Sequence, residues 1–216
     1  LGATAGNDPF YGRLVQEFYA DTRRRHARIP FIRQLQCGVA LCRLPEEPDG
    51  YPAMIEASGR RNCKKAVRLG YVFAPIKFND YLDDIRAIRR STDVRQGKVS
   101  GELLQAEITP CTDPASMSST HDYRYFGVLK SGQLVAYAGV FVAGESGMIQ
   151  HILGHAAHQP DGIVPMLIIS IARFLKAHHP RVKFYIYGTY FGAGESLRRF
   201  KKKFGFMPHI VTWIPG

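Results

Sequence analysis

At 216 residues, with 45% apolar and 22% charged residues, the chain is long enough for one sizeable domain and too apolar to be disordered. Its longest apolar run, residues 163–172, is broken by Pro165 and Ser170 and stopped by Arg173, which is too short for a membrane span. Four cysteines without a CxxC pair exclude a disulfide scaffold and a structural zinc module, and the lack of a charged-then-apolar opening segment gives a cytoplasmic expectation.

Residues 9–26 predict a helix, because Phe10, Leu14 and Phe18 recur at four with Tyr11, Val15 and Tyr19 beside them. The short apolar runs 35–41 and 53–57, separated by a turn at Asp49 and Gly50, predict paired strands. Residues 60–69 predict a helix ending at Gly70, and 71–76 a strand. Asn79 or Asp80 is the expected cap of a helix with Leu82, Ile85 and Ile88 on its buried stripe. Residues 109–122, rich in Pro, Ser and Thr, predict a loop.

From there the pattern turns to strands. Residues 124–130 and 133–142 flank Ser131 and Gly132, a hairpin signal. A turn over 144–147 leads to a third strand, 148–153. Asp161 and Gly162 open a helix over 163–177 that is apolar nearly all round and therefore deeply buried, with Pro165 tolerated in its first turn. A strand over 182–187, a short cationic helix over 195–203 and a last strand over 207–214 complete the chain. The third strand, the buried helix and the fourth strand form a crossover unit, so the expected architecture is a mixed α/β sheet layered with helices. The start of the buried helix is a natural anion site.

The charge is unevenly placed. Lys and Arg number 29 against 18 Asp and Glu, and 15 of the 29 fall in three windows. These are Arg23, Arg24, Arg25, Arg28 and Arg33; Arg60, Arg61, Lys64, Lys65 and Arg68; and Arg198, Arg199, Lys201, Lys202 and Lys203. Such clustering suits a polyanion, and a solvated basic surface is the plainer alternative.

The closing phrase, Phe200, Lys201, Phe204, Gly205 and Phe206 ahead of Pro208, together with the element order over residues 78–214, resembles the N-acetyltransferase superfamily abbreviated GNAT. That resemblance implies a largely antiparallel mixed sheet flanked by helices, an α+β arrangement. A narrower resemblance is to the Fem-type aminoacyl-tRNA-dependent transferases, which are similar to two such domains in tandem. It is carried by the Arg-rich segment Arg60 to Gly70, by Thr92, Arg95 and Gly97, and by the Phe200–Lys201 pair. The implied organisation is a reduced first unit in residues 1–76 and an acyltransferase domain in 77–216. Ordinary acetyltransferases often place a tyrosine where Lys201 falls, and their pyrophosphate loop is matched here only in its first half, by Gln159 to Gly162.

Acyl transfer to an amine requires a positioned carbonyl, a stabilised oxyanion and an accommodated leaving group. In this fold, backbone N–H groups at the end of the third strand, at Leu153 beside Gly154, are expected to face the carbonyl. Lys201 is the candidate for a ribose leaving group flanked by phosphates. Arg198, Arg199, Lys202 and Lys203 would track an RNA backbone, and Phe200 would stack on a terminal base or else fill the core. Arg60, Arg61, Lys64 and Lys65 form a second phosphate candidate, with a solvated helix face as the alternative. Arg95 and Lys98 are a weaker acceptor-pocket candidate. Tyr187 or Tyr190 could position the amine, and Glu145 and Asp122 are candidate carboxylate bases, turn residues otherwise. His151, His155 and His158 have metal-like spacing only on a helix, and His151 lies in a strand-like run, so no metal is expected; one of the three could still act as base or contact the donor. Three functions follow: transfer from aminoacyl-tRNA as co-substrate to a small-molecule or peptide amine, transfer from acetyl-CoA, or RNA binding without catalysis. None requires a covalently bound cofactor.

Overall fold

The computed structural model describes residues 7–26, 29–33, 35–92, 107–191 and 193–212. Arg28, Arg95, Gly97 and Lys98, and the end of the expected last strand, lie outside them. The elements are α1 (Pro9–Arg23), β1 (Cys37–Arg43), α2 (Tyr51–Met54), α3 (Ala57–Arg68), β2 (Val72–Ile76), α4 (Leu82–Arg90), β3 (His121–Lys130), β4 (Gln133–Ala143), β5 (Ser146–Gly154), α5 (Ile163–His178), β6 (Phe184–Thr189), α6 (Glu195–Lys203) and β7 (Met207–Ile210).

The strands form one seven-stranded sheet in the order β2-β3-β4-β5-β6-β1-β7. Every neighbouring pair is antiparallel except β5 and β6, which the α5 crossover makes parallel. This is the mixed, largely antiparallel sheet expected of the sequence. The segment 1–76 supplies two of its strands, β2 at one edge and β1 between β6 and β7.

The face bearing Phe126, Ala138 and Val140 packs against α5, whose Ile163, Leu167, Ile168, Ile171 and Ala172 are fully buried. Burying one such branched side chain contributes about 1.5–3 kcal/mol, so this layer dominates the core. The opposite face is covered in two patches. Ile85 and Ile88 of α4 meet Leu134 and Tyr137, while Tyr11 of α1 meets Phe141 and Met148.

Three expectations are corrected. The run 53–57 is not a strand: Tyr51, fully buried with its hydroxyl donating to the Phe204 carbonyl at 2.8 Å, anchors a helical turn that leads into α3. The run 35–41 pairs instead with β6 and β7. Neither Asn79 nor Asp80 caps α4, which is entered through a 3-10 turn over Phe78–Tyr81. The Asn79 amide instead clamps the Cys111 backbone, donating to the carbonyl at 2.9 Å and accepting from the N–H at 2.8 Å. A polar side chain that finds a backbone partner across a loop is unavailable to its own helix.

A candidate acyl-transfer cleft between β5 and β6

β5 and β6 pair only from Ser146–Phe184 to Met148–Ile186 and then part. The cause lies on the other edge of β5. Val140 pairs with Ile149 and Gly139 with His151, so Gln150 is an extra residue opposed by nothing. A bulge of this kind bends its strand and shifts the pleat by one. Met148 therefore packs on the α1 side and Ile149 on the α5 side, whereas beyond the bulge Leu153 faces α4 and Ile152 faces α5.

The gap is a cavity of 380 Å³ lined by His151, Leu153, Tyr187, Gly188 and Lys201 among others. A second cavity of 380 Å³ shares Ile152, Leu153, Tyr187 and Leu197 with it and extends to Gln159, Val164, Phe200 and Lys203, at the start of α5. The first half of the α5 side and the splayed strand thus share one continuous wall.

Lys201 stands in this wall. It is only 3% exposed, because Leu197 and Lys201 share the inner face of α6 one turn apart. Its Nζ donates to the Thr189 carbonyl at 2.7 Å and lies 4.6 Å from the centre of the Tyr187 ring. Burial lowers its pKa to about 8. No acidic side chain is paired with it among the described residues, so the charge is held by one carbonyl and a ring face. Tyr187 packs edge-on against Phe206 at 5.6 Å, and burial raises its hydroxyl pKa.

The other α6 residues divide by face. Phe200 is half-buried against Phe204, 4.8 Å between ring centres, and borders the second cavity with Lys203. Arg199 and Lys202 are exposed and Arg198 half-buried. At the α5 end, Gln159 donates to the Gly154 carbonyl at 3.3 Å, and Gly162 holds a φ of +89°. A Cβ on Gly162 would lie 2.2 Å from the Asn62 carbonyl oxygen, so α3 presses directly on the entry to α5. Lys65 fastens the same contact, donating to the Pro160 carbonyl at 2.9 Å and pairing with Asp161 at 3.2 Å.

Several candidates stand elsewhere. Arg60 donates to the Pro52 and Ile55 carbonyls at 3.1 and 2.5 Å, so it ties α2 to α3. Arg61 and Lys64 border a different cavity, between α3 and α5. Glu145 sits in the β4–β5 turn, at the end of β5 remote from Gly154, paired with Lys183 at 2.5 Å, which keeps its pKa low. The geometry does not bring it to Lys201. Tyr190 is fixed by its N–H to the Gly38 carbonyl at 2.5 Å. Asp122 is buried outside the cleft lining. Burial would raise its pKa, but hydrogen bonds from His179 at 3.0 Å and Arg124 at 2.7 Å hold it low.

The three histidines do not converge. His158 lies 2.7 Å from the Tyr71 hydroxyl, and His155 accepts from the Ala157 N–H at 3.3 Å. His151 lies over Gly139 between the rings of Tyr125 and Tyr137, each 5.5 Å away, with Nε2 buried and unpartnered, and burial lowers its pKa to about 4. Among the described residues no group of His, Cys, Asp or Glu is arranged to hold a metal ion. The contribution of Gln150 was invisible in the sequence, since a bulge depends on the partner strand.

No protein-family model and no curated protein matches the sequence. Solved structures do. The DUF2156 C-terminal domain of a candidate lysylphosphatidylglycerol synthetase from Agrobacterium fabrum superposes with TM-score 0.52 at 18% identity, over 94% of this chain and 64% of that one. FemX gives 0.54 at 9% over 80% and 61%. A tandem GNAT protein from the clavulanic acid biosynthesis pathway gives 0.51 at 12% over 82% and 51%. The fold is GNAT-like. The chain spans less than two thirds of the length of each of these relatives, and at such identities the likeness concerns the fold.

Proposed function

We propose that this GNAT-like domain transfers an acyl group to an amine, and that its donor is an aminoacyl ester of tRNA. One observation carries the reading: the leaving-group side of the cleft holds the buried ammonium of Lys201 where a tyrosine hydroxyl often stands in acetyltransferases. The relatives named FemX and lysylphosphatidylglycerol synthetase are consistent with it.

In this mechanism the ester lies along the splayed half of β5. Backbone N–H groups that β6 leaves unpaired beyond Met148 face the carbonyl oxygen. The amine nitrogen attacks the carbonyl carbon, a C–N bond forms, and charge gathers on that oxygen. Collapse breaks the ester C–O bond, and the departing ribose oxygen takes a proton from Lys201. The attacking nitrogen releases its own proton to solvent, and Lys201 is reprotonated from solvent. A lysine whose pKa is lowered to about 8 is a stronger acid than an ordinary one and is still charged at neutral pH. Arg198, Arg199, Lys202 and Lys203 lie on the same helix and would meet the phosphates of the donor around that helix. Phe200 supports the wall from the Phe204 side, with one edge in the second cavity.

Transfer from acetyl-CoA is the second reading. It is favoured by the second cavity, which reaches Gln159 and Val164 at a helix start, where a pyrophosphate is well received. A donor screen read by mass spectrometry separates the two. Charged tRNA should yield an amide product and raise the melting temperature, whereas acetyl-CoA should do neither. An acetylated product, or stabilisation by coenzyme A alone, refutes the aminoacyl reading; tight binding of uncharged RNA with no product from any donor leaves an RNA-binding module.

A further inference from the structure

The outward face of α3 combines fixed positive charge with exposed apolar side chains. The helix contains no acidic residue. Arg61, Lys64 and Arg68 recur at spacings of three and four, all exposed, and none has an ion pair among the described residues. Interleaved with them and just beyond stand Val67, Leu69 and Val72, which are 57%, 41% and 59% exposed. Beside this face a cavity of 580 Å³ opens between α3 and α5, with Cys63, Val67 and Ile169 in its lining. Two further cations border it but are occupied: Arg60 by backbone carbonyls, and Arg173 by Asp49 at 2.8 Å.

An RNA backbone would use the three free cations and leave the valines in water. The cavity lining offers no aromatic ring on which a base could stack. A bilayer surface with anionic headgroups satisfies both halves of the pattern, since guanidinium and ammonium groups meet phosphates while aliphatic side chains enter the headgroup–acyl boundary. We propose that the outer face of α3, with Leu69 and Val72, docks on an anionic phospholipid surface, and that the adjoining cavity receives the phosphate and upper chain of one lipid. The protein lies on such a surface; among the described residues no helix is long and apolar enough to cross a membrane. The inference does not depend on the acyl-transfer reading.

The test is co-sedimentation of the whole chain with vesicles of phosphatidylcholine, with and without phosphatidylserine, across a salt series. Binding is expected only to the anionic vesicles. The triple variant Arg61→Gln, Lys64→Gln, Arg68→Gln should lower partitioning about 100-fold, from about fivefold per basic residue. The pair Val67→Ser and Val72→Ser should lower it about tenfold at constant charge. All five positions are exposed, and unchanged thermal unfolding verifies that the fold is intact. Equal affinity for neutral vesicles, or no affinity for anionic ones, overturns the proposal. So does a triple variant that binds like the wild type. Loss with the charge variant alone, no effect of the serine variants, and tighter binding to tRNA than to vesicles would instead make α3 an RNA face.

Discussion

Replacing Lys201 by Met should stabilise the protein at neutral pH while abolishing transfer. The ammonium titrates at about 8 in the fold, against an ordinary value of 10.5. A lowering of that size corresponds to about 3 kcal/mol by which the fold disfavours the charged form. Between about pH 8 and 10.5 the unfolded chain binds more protons than the native one, so native stability rises with pH through that window and gains nothing from it below. Methionine fills nearly the same volume without charge. It also forfeits the bond to the Thr189 carbonyl, a loss of about 1 kcal/mol. The expected balance is about 2 kcal/mol in favour of Lys201→Met at about pH 7, disappearing as pH approaches the ordinary lysine value. Urea unfolding at neutral and alkaline pH, with an unchanged slope, reads both quantities. A variant that is less stable at neutral pH, or a difference that does not vary with pH, would refute the assignment of a poorly compensated buried charge.

The remaining predictions address other parts of the fold. Single-turnover transfer should fall as pH rises through about 8, as the Lys201 ammonium deprotonates, and this limb should move to higher pH in Lys201→Arg if that variant retains transfer. Neutralising Arg198 and Lys202 together should make the salt dependence of tRNA binding shallower by about 1.4–1.8 in log–log slope, as two lost phosphate contacts require. Gly162→Ala should destabilise by about 2 kcal/mol or more in thermal unfolding, because its Cβ would meet the Asn62 carbonyl at 2.2 Å on a backbone at φ +89°. Ser131→Asn should stabilise by about 0.5 kcal/mol, because Ser131 sits at φ +50° ahead of Gly132 at +85°, a turn that prefers Asn-Gly.

The second half of the chain was legible wherever local pattern and tertiary packing agree. The β3–β4 hairpin is announced by Ser131 and Gly132, and α5 by an apolar surface that only full burial explains. Tyr51 shows the opposite case: its helical turn is set by a hydroxyl bond to Phe204, 153 positions away, which no local window contains. The site divides the same way. Lys201 and Phe200 were readable as a pair in a closing phrase, yet that Lys201 turns inward toward Thr189 and Tyr187, while Lys202 faces water, depends on how α6 seats against β6. Glu145 looked like a possible base by residue type alone; strand direction puts it at the wrong end of β5. His151 carries no sequence signal beyond its neighbours, because its setting is made by Gly139 on another strand, where a Cβ would approach the imidazole to 2.6 Å.

The extra residue at Gln150 makes strand length a determinant of the opening between β5 and β6. Removing that one position would restore an unbroken alternation while leaving His151 on the α4 side and Ile152 on the α5 side, where they now stand. The two strands would then have less reason to diverge, and the opening between them would zip shut. Two chains with the same lysine and the same fold, differing by a single inserted residue here, would keep the same side chains on each face and differ in how far the strands part.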